Sequence, residues 1–285
     1  MAERTLEGKT VLITGAGRGL GREMAEALAT AGAKVALLDV DRDVLADAAK
    51  AVEAAGGQGS ALALQSDVTN KMKATAAIEE VTDKFGGLDI LINDAAMGPQ
   101  YFAGGDGKGP KFWEIDPELW LRVITVNSYG PQLMASVAVP HLVERGWGRV
   151  INVTTSLDTM YRRGSGAYGP SKAALEANTH IMAEDLEGTG VTANVLIPGG
   201  AANTRMIADH IVPDRTSLVQ PHVMRAPAVW LSSAASDGIN GRRFIAALWD
   251  EDLPLDQRIE QAGAPVAWSQ LPSRAIRPAG TTAMD

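Results

Sequence analysis

Thr10-Val11-Leu12-Ile13-Thr14-Gly15-Ala16-Gly17-Arg18-Gly19-Leu20-Gly21 is a short apolar run, rich in β-branched residues, that opens into four glycines within seven positions. Thr10–Thr14 reads as a strand buried on both faces, because nothing in it alternates with polar residues. A helical pattern follows through about Ala31, with Gly32 as its stop. Glycines between such a strand and helix let the backbone turn tightly and approach a pyrophosphate, whose charge the helix N-terminus favours. Gly15, Gly19 and Gly21 make G-x-x-x-G-x-G; the G-x-G-x-x-G spacing fails because position 20 is leucine. A plain glycine turn is the bland alternative. The strand–turn–helix context favours a dinucleotide held by Gly15, Gly17, Arg18, Gly19, Leu20 and Gly21.

The same alternation continues outward. Lys34–Asp39, Ala61–Gln65, Leu88–Asn93, Arg149–Thr154 and Val191–Ile197 read as strands, separated by helix-length segments such as Asp41–Ala55. Alternation of this kind predicts one doubly wound parallel sheet with helices on both faces, joined by right-handed crossovers. Two stretches break the rhythm: Gly98–Lys111, rich in Gly and Pro, and a tail from Glu251 with Pro254, Pro265, Pro272 and Pro278. The expected organisation is one domain over residues 1–250 and an extension over 251–285 that packs on its own or a neighbouring subunit.

Composition narrows the function. The 285 residues are 46% hydrophobic and 21% charged, enough for a sizeable core. A net charge of −8 argues against a general nucleic-acid binder, which needs clustered Lys and Arg. Without cysteine, the chain has no disulfide, thiolate nucleophile or cysteine-ligated metal. His141, His180, His210 and His222 lack metal-ligand spacing, so no metal is expected. The N-terminus shows no signal-peptide pattern, and no apolar run approaches the ~18 residues of a membrane span. The expectation is a cytoplasmic protein acting on a small molecule, with neither nucleic acid nor membrane as partner.

Asp39 closes the second strand, 18 residues after Gly21. A carboxylate there can accept hydrogen bonds from ribose hydroxyls and repel a 2′-phosphate, so NAD is favoured over NADP. Arg18 pulls the other way, as a cation that could meet that phosphate. Tyr168 and Lys172 stand at i and i+4 on one helix face. A phenol with a reference pKa of ~10 is a poor acid–base group at neutral pH, and a nearby cation favours its ionised form.

Taken together, these residues resemble the short-chain dehydrogenase/reductase family over roughly residues 8–250. Besides the glycine loop and the Tyr168/Lys172 pair, Asp67-Val68 follows the third strand, where the family contacts adenine. Asn93-Asp94-Ala95-Ala96 is similar to its N-N-A-G segment, and Val126-Asn127 to its helix asparagine. Pro198-Gly199 and Thr204 match the segment that approaches the nicotinamide. The resemblance implies a Rossmann-type fold and a catalytic set of Tyr168, Lys172, Asn127 and a hydroxyl near Thr155. Tyr168 would exchange the substrate proton. Lys172 would lower its pKa and bond the nicotinamide ribose, and Asn127 would hold a relay water. Asn93 and Ala95 would join the cofactor site.

There are departures. Asp94 and Ala96 replace Asn and Gly, and the family's V-D-G-G ending is absent. Its serine position, thirteen residues before the tyrosine, is Thr155, with Ser156 beside it. Either hydroxyl can orient the substrate at this stage. The expected pocket residues, Met97, Tyr101, Phe102, Trp113, Leu157, Met160, Tyr161, Met206 and Ile207, are mostly apolar and fit an apolar, ring-bearing alcohol or ketone. Arg162-Arg163 could meet an anionic group or simply balance surface charge. Epimerisation or dehydration on the same NAD site, and a regulatory nucleotide binder without turnover, are the competing readings. Helices around 117–145 and 167–187 are apolar on more than one face, which predicts a homodimer or homotetramer.

Overall fold

Thr10–Thr14 forms β1 with every residue buried, and a sheet extends from it on both sides. The structure, a computed structural model, describes residues 4–104 and 108–268. The first half runs β1, α1 (Gly19–Thr30), β2 (Lys34–Asp39), α2 (Arg42–Gly56), β3 (Ala61–Gln65), α3 (Lys71–Phe85) and β4 (Ile90–Asn93). The second begins with α4 (Pro117–Ile124), α5 (Gly130–Glu144), β5 (Gly148–Val153), α6 (Leu157–Met160) and α7 (Tyr168–Asp185). It ends with β6 (Val191–Ile197), α8 (Arg225–Leu231), β7 (Arg242–Ile245), α9 (Leu255–Ala262) and β8 (Gly263–Pro265).

The strand order is β3-β2-β1-β4-β5-β6-β7-β8, parallel throughout except for β8. This is the expected doubly wound sheet. Its order reverses between β1 and β4, opening a crevice at their carboxyl ends, where sheets of this type bind ligands. Successive side chains take opposite faces. Val11 and Ile13 join Met24 and Leu28 of α1 and Leu45 of α2 in one core. Leu12 faces the other core, with Ile78 of α3 and Met134 of α5. Burial on both sides is why these strands read as continuous apolar runs.

Local signals set the element ends. Asp41 caps α2 by accepting from Asp43 N at 3.1 Å, and Asn70 caps α3 through Lys73 N at 3.1 Å. Gly32, just past α1, has φ +101°, a conformation that side-chain-bearing residues rarely adopt. Three strand limits differ from expectation, the third being that β5 begins at Gly148 rather than Arg149. β4 starts at Ile90 rather than Leu88, and β5 ends at Val153 rather than Thr154, where its ladder with β6 stops. The helix expected around 117–145 is interrupted by a π turn over Thr125–Tyr129, in which Gly130 N bonds Thr125 O. Pro131 is the reason. It has no N–H to give the Asn127 carbonyl, so the ladder shifts register.

The rebuilt end after β7 packs on its own sheet. β8 pairs Phe244 with Gly263 and Arg242 with Pro265, and Val266 is buried against Val195 and Ile197. Trp230, Phe244 and Trp249 stack nearby, with Trp230 5.1 Å from Phe244 and 4.6 Å from Trp249. Pro272 and Pro278 lie outside the described residues, as do residues 105–107 of the Gly-rich loop. Among the described residues no helix is long and apolar enough to cross a membrane.

Candidate active site

The glycine loop crosses the mouth of the crevice. Gly15 has φ +69°, and a Cβ there would lie 2.8 Å from the Ala95 Cα, so only glycine lets β1 and the β4 loop approach this closely. Thr14 Oγ1 accepts from Asp94 N and Ala95 N at 3.1 Å each, fixing that loop from the β1 side. Arg18 precedes α1 in extended conformation without a side-chain cap, so the first-turn amides of α1 face the crevice. Leu20 turns its side chain into the core beneath.

Asp39 stands at the end of β2. Its carboxylate accepts from Gly17 N at 3.1 Å and from Asp41 N at 3.1 Å. Arg18 is ion-paired with Asp41. Sequence reasoning weighed Arg18 as a phosphate ligand and missed Asp41, although an N-cap aspartate two positions past Asp39 was visible. Asp67 accepts from Thr69 N and Oγ1 at 2.9 and 2.7 Å, and Val68 is buried. Val40, Gln65, Ser66, Asp67 and Lys73 line a shallow cavity of about 310 Å³ at this end of the crevice. At the other end, Thr204 Cγ2 would lie 3.2 Å from a Cβ built on Gly19, which brings the segment after Pro198-Gly199 over the glycine loop. Arg215, absent from the sequence reading, clamps that segment. It donates to Asn203 Oδ1 at 2.8 Å, Thr204 O at 2.9 Å and Ile207 O at 2.7 Å.

Tyr168 begins α7 with its side chain buried, and the Thr155 side chain meets its hydroxyl and favours the phenolate. Ser156 points elsewhere. It caps α6, its Oγ lying 2.9 Å from Thr159 Oγ1 and accepting from Thr159 N at 3.4 Å. Lys172, one turn along α7, is 2% exposed and donates to Val153 O at 2.7 Å. The expectation that Lys172 lowers the Tyr168 pKa is not met in this state. Burial pushes Tyr168 up to about 12, against the Thr155 contact, and Asp94 adds to the rise. The Lys172 ammonium lies 6.0 Å from the Tyr168 ring centroid and is directed at the backbone instead.

Two expected site asparagines are occupied by the scaffold. Asn127 accepts from Met97 N at 2.7 Å and donates to Met97 O and Ser171 Oγ at 2.9 Å each. Its side chain therefore holds no partner at Lys172. Asn93 donates to Asn152 Oδ1 at 2.9 Å, and Asn152 passes the chain on to Thr179 Oγ1. Met97 and Phe102 pack together with Ala167, and Met206 lies against Gly98. Trp113 and Tyr161 stand outside this cluster. Trp113 packs edge-on against Phe112 at 5.0 Å, and the Tyr161 hydroxyl donates to Asp158. Arg162 and Arg163 are exposed.

The departure at Asp94 has an electrostatic consequence. Its carboxylate accepts from Gly21 N–H, and burial pushes its pKa up to about 7, with Lys172 opposing the rise and Asp39 adding to it. Burial also lowers Lys172 to about 8, and Asp94 works against that. The Asp94 pKa rises on folding, so its protonated form is the one the fold favours. Stability relative to Asp94→Asn should fall as pH rises from about 4 to about 7, then level off. Melting curves of both proteins across pH check this. A wild type that gains on the variant as pH rises would refute it.

Comparison with known proteins bears on the family and the fold. The profile of the family described as short chain dehydrogenase matches residues 9–212. The chain is 32% identical over 261 residues to 2,5-dichloro-2,5-cyclohexadiene-1,4-diol dehydrogenase LinX of Sphingobium indicum, covering 90% of this chain and 97% of the relative. It is 28% identical over 247 residues to 7alpha-hydroxysteroid dehydrogenase of Escherichia coli, covering 83% and 92%. Among solved structures, 3-ketoacyl-(acyl-carrier-protein) reductase from Brucella melitensis, complexed with NADH, superimposes with TM-score 0.72 at 29% identity, covering 82% of this chain and 95% of that one.

Proposed function

Because the chain belongs to the short-chain dehydrogenase/reductase family, we propose that it is an NAD-dependent oxidoreductase. It interconverts a secondary alcohol and a ketone on a largely apolar, ring-bearing small molecule. The observation that carries this is the buried contact between the Tyr168 hydroxyl and the Thr155 side chain, with Lys172 one helical turn away at the carboxyl end of the sheet. Tyr168 donates its proton to the ketone oxygen in reduction and receives it back in oxidation. Burial keeps the phenol protonated at neutral pH. Thr155 bonds the same oxygen and sets its direction. Asn127, through the backbone carbonyl that Pro131 leaves open, holds a water that returns protons toward Lys172.

The residues present fit a nicotinamide dinucleotide. Gly15 and Gly19 turn with positive φ, and the α1 amides point at an anion. Gly15, Gly17, Arg18, Gly19, Leu20 and Gly21 form the backbone cradle for the pyrophosphate, with the Gly17 N–H given to Asp39 and the Gly21 N–H to Asp94, and Asp67-Val68 take the adenine. Asn93, Ala95, Pro198, Gly199 and Thr204, with Tyr168 and Lys172, border the nicotinamide half. When bound, the nicotinamide supplies or accepts the hydride. The relatives named for a cyclohexadiene diol and a hydroxysteroid support a ring substrate, as does the apolar cluster of Met97, Phe102 and Met206. Exposed Trp120, Leu121, Tyr129 and Ile181 on the α4–α5 and α7 surfaces support a homodimer or homotetramer. A panel of cyclic secondary alcohols and ketones, followed by NADH absorbance with both nicotinamides, tests the activity. Turnover with NAD is expected, and none with either nicotinamide across the panel overturns it.

NAD is preferred because two carboxylates meet at the end of β2. Asp39 faces the ribose position and Asp41 holds Arg18 away from it. Asp39→Ala should weaken NAD binding and improve NADP binding, and adding Asp41→Ala should improve NADP further by releasing Arg18. Titrations of both cofactors check this. A wild type that binds NADP about tenfold or more tightly than NAD, a difference of ~1.4 kcal/mol, refutes the reading.

A further inference from the structure

Glu176 is fully buried on α7, four residues after Lys172 and eight after Tyr168, on the same helical stripe. Arg243, on β7, is 8% exposed and sits against it, with Nε 3.0 Å from Glu176 Oε1. Neither residue figures in the chemistry described above. A buried ion pair is a weak device for stability, because apolar residues of similar volume often do as well. What distinguishes this pair is where its remaining bonds go. Thr154 Oγ1 donates to Glu176 Oε2 at 2.8 Å, and Arg243 Nη2 donates to the Thr155 carbonyl at 3.0 Å.

The third contact comes from the chain end. Burial pushes the Glu176 carboxyl up, and Arg243, Thr154 and the Ala267 N–H each work against that rise. Ala267 is the one non-glycine with positive φ among the described residues, at +61°, beside the buried Val266. Alanine held in that conformation marks a backbone position fixed by its surroundings. Contacts therefore run from Thr154 through Glu176 and Arg243 to the Thr155 carbonyl, beside Tyr168.

We propose that Glu176 and Arg243 are positioning residues that fix the Thr155 carbonyl, so that its hydroxyl meets Tyr168 and the substrate oxygen. The proposal rests on the reading of Thr155 and Tyr168 given above. Residues Thr154–Ser156 are all that separates the end of β5 from α6, and no ladder bond reaches Thr155. Arg243 supplies the bond that the sheet does not. The fork of its guanidinium lets it hold Glu176 and Thr155 at once, which a lysine ammonium does less well.

Arg243→Lys tests this, made in wild type and in Thr155→Val. It retains the charge opposite Glu176, so melting should stay close to wild type. In the wild-type background kcat should fall about tenfold, with NAD affinity by fluorescence titration nearly unchanged. In Thr155→Val the same replacement should cost little more, because the side chain it acts through is already gone. Arg243→Lys with full kcat, or an equal loss in both backgrounds, overturns the proposal. If Arg243→Lys does not fold, Glu176→Met/Arg243→Met removes both charges together and is read in the same two backgrounds, with the same outcomes deciding. Failure of the underlying reading looks different: Thr155→Val itself would then turn over at the wild-type rate.

Discussion

Tyr168→Phe should abolish turnover and leave NAD affinity nearly unchanged. The phenol oxygen is the group that exchanges a proton with substrate, and positioned acid–base groups contribute roughly 10²–10⁴-fold. The ring fills a buried site at the start of α7, and phenylalanine keeps that packing. The lost atom is one that meets Thr155, so the α1 amides and Asp39 are untouched. Lys172→Ala should damage both turnover and binding. It removes a buried ammonium that bonds Val153 O and that is proposed to reach the nicotinamide ribose. Steady-state kinetics with cofactor titration separate the two variants. A Tyr168→Phe enzyme retaining more than about a few per cent of the wild-type rate would show that another group moves the proton.

The second large effect separates two adjacent hydroxyls. Thr155→Val should lose turnover by a factor corresponding to roughly 2.7–4 kcal/mol, the range found when one donor to a developing oxyanion is removed. Valine is nearly isosteric and β-branched like threonine, so backbone preference and volume are retained while the hydroxyl that meets Tyr168 is lost. Ser156→Ala should behave differently. Its Oγ caps α6, so its removal costs stability in the ~0.5–2 kcal/mol range of helix caps and little turnover. Comparing kcat and melting temperature for the pair decides the matter. If Ser156→Ala is the slow variant, the assignment to Thr155 is wrong, and if both remain fast, neither hydroxyl orients the substrate.

The glycine loop, most of the strands and the Tyr168/Lys172 pair were legible because each depends on neighbours within about one helical turn. Four strand spans match the structure residue for residue. A run such as Val11-Leu12-Ile13 has few alternatives to a doubly buried strand. The π turn was hidden in plain sight: Pro131 announces it, but only once the segment is known to be helical. The pocket reading was mixed for a similar reason. Met97, Phe102, Trp113 and Tyr161 look alike in composition, and only packing separates the pair in a cluster from the pair at the surface.

What the sequence determined by itself is the α/β layering, with a glycine loop between the first strand and the first helix. These follow from periodicity and local backbone preference. What only the tertiary structure decided is how charges and hydroxyls meet. Asp41 takes Arg18 across the gap from β2 to the glycine loop. Asp94, just past β4, faces Lys172 of α7, and Arg243 reaches Glu176 from 67 positions along the chain. The choice between Thr155 and Ser156 belongs here too. One step along a strand reverses the side-chain face, so the answer depends on where β5 stops. That point is set by its ladder with β6 and by the turn into α6, contacts that no short stretch of sequence contains.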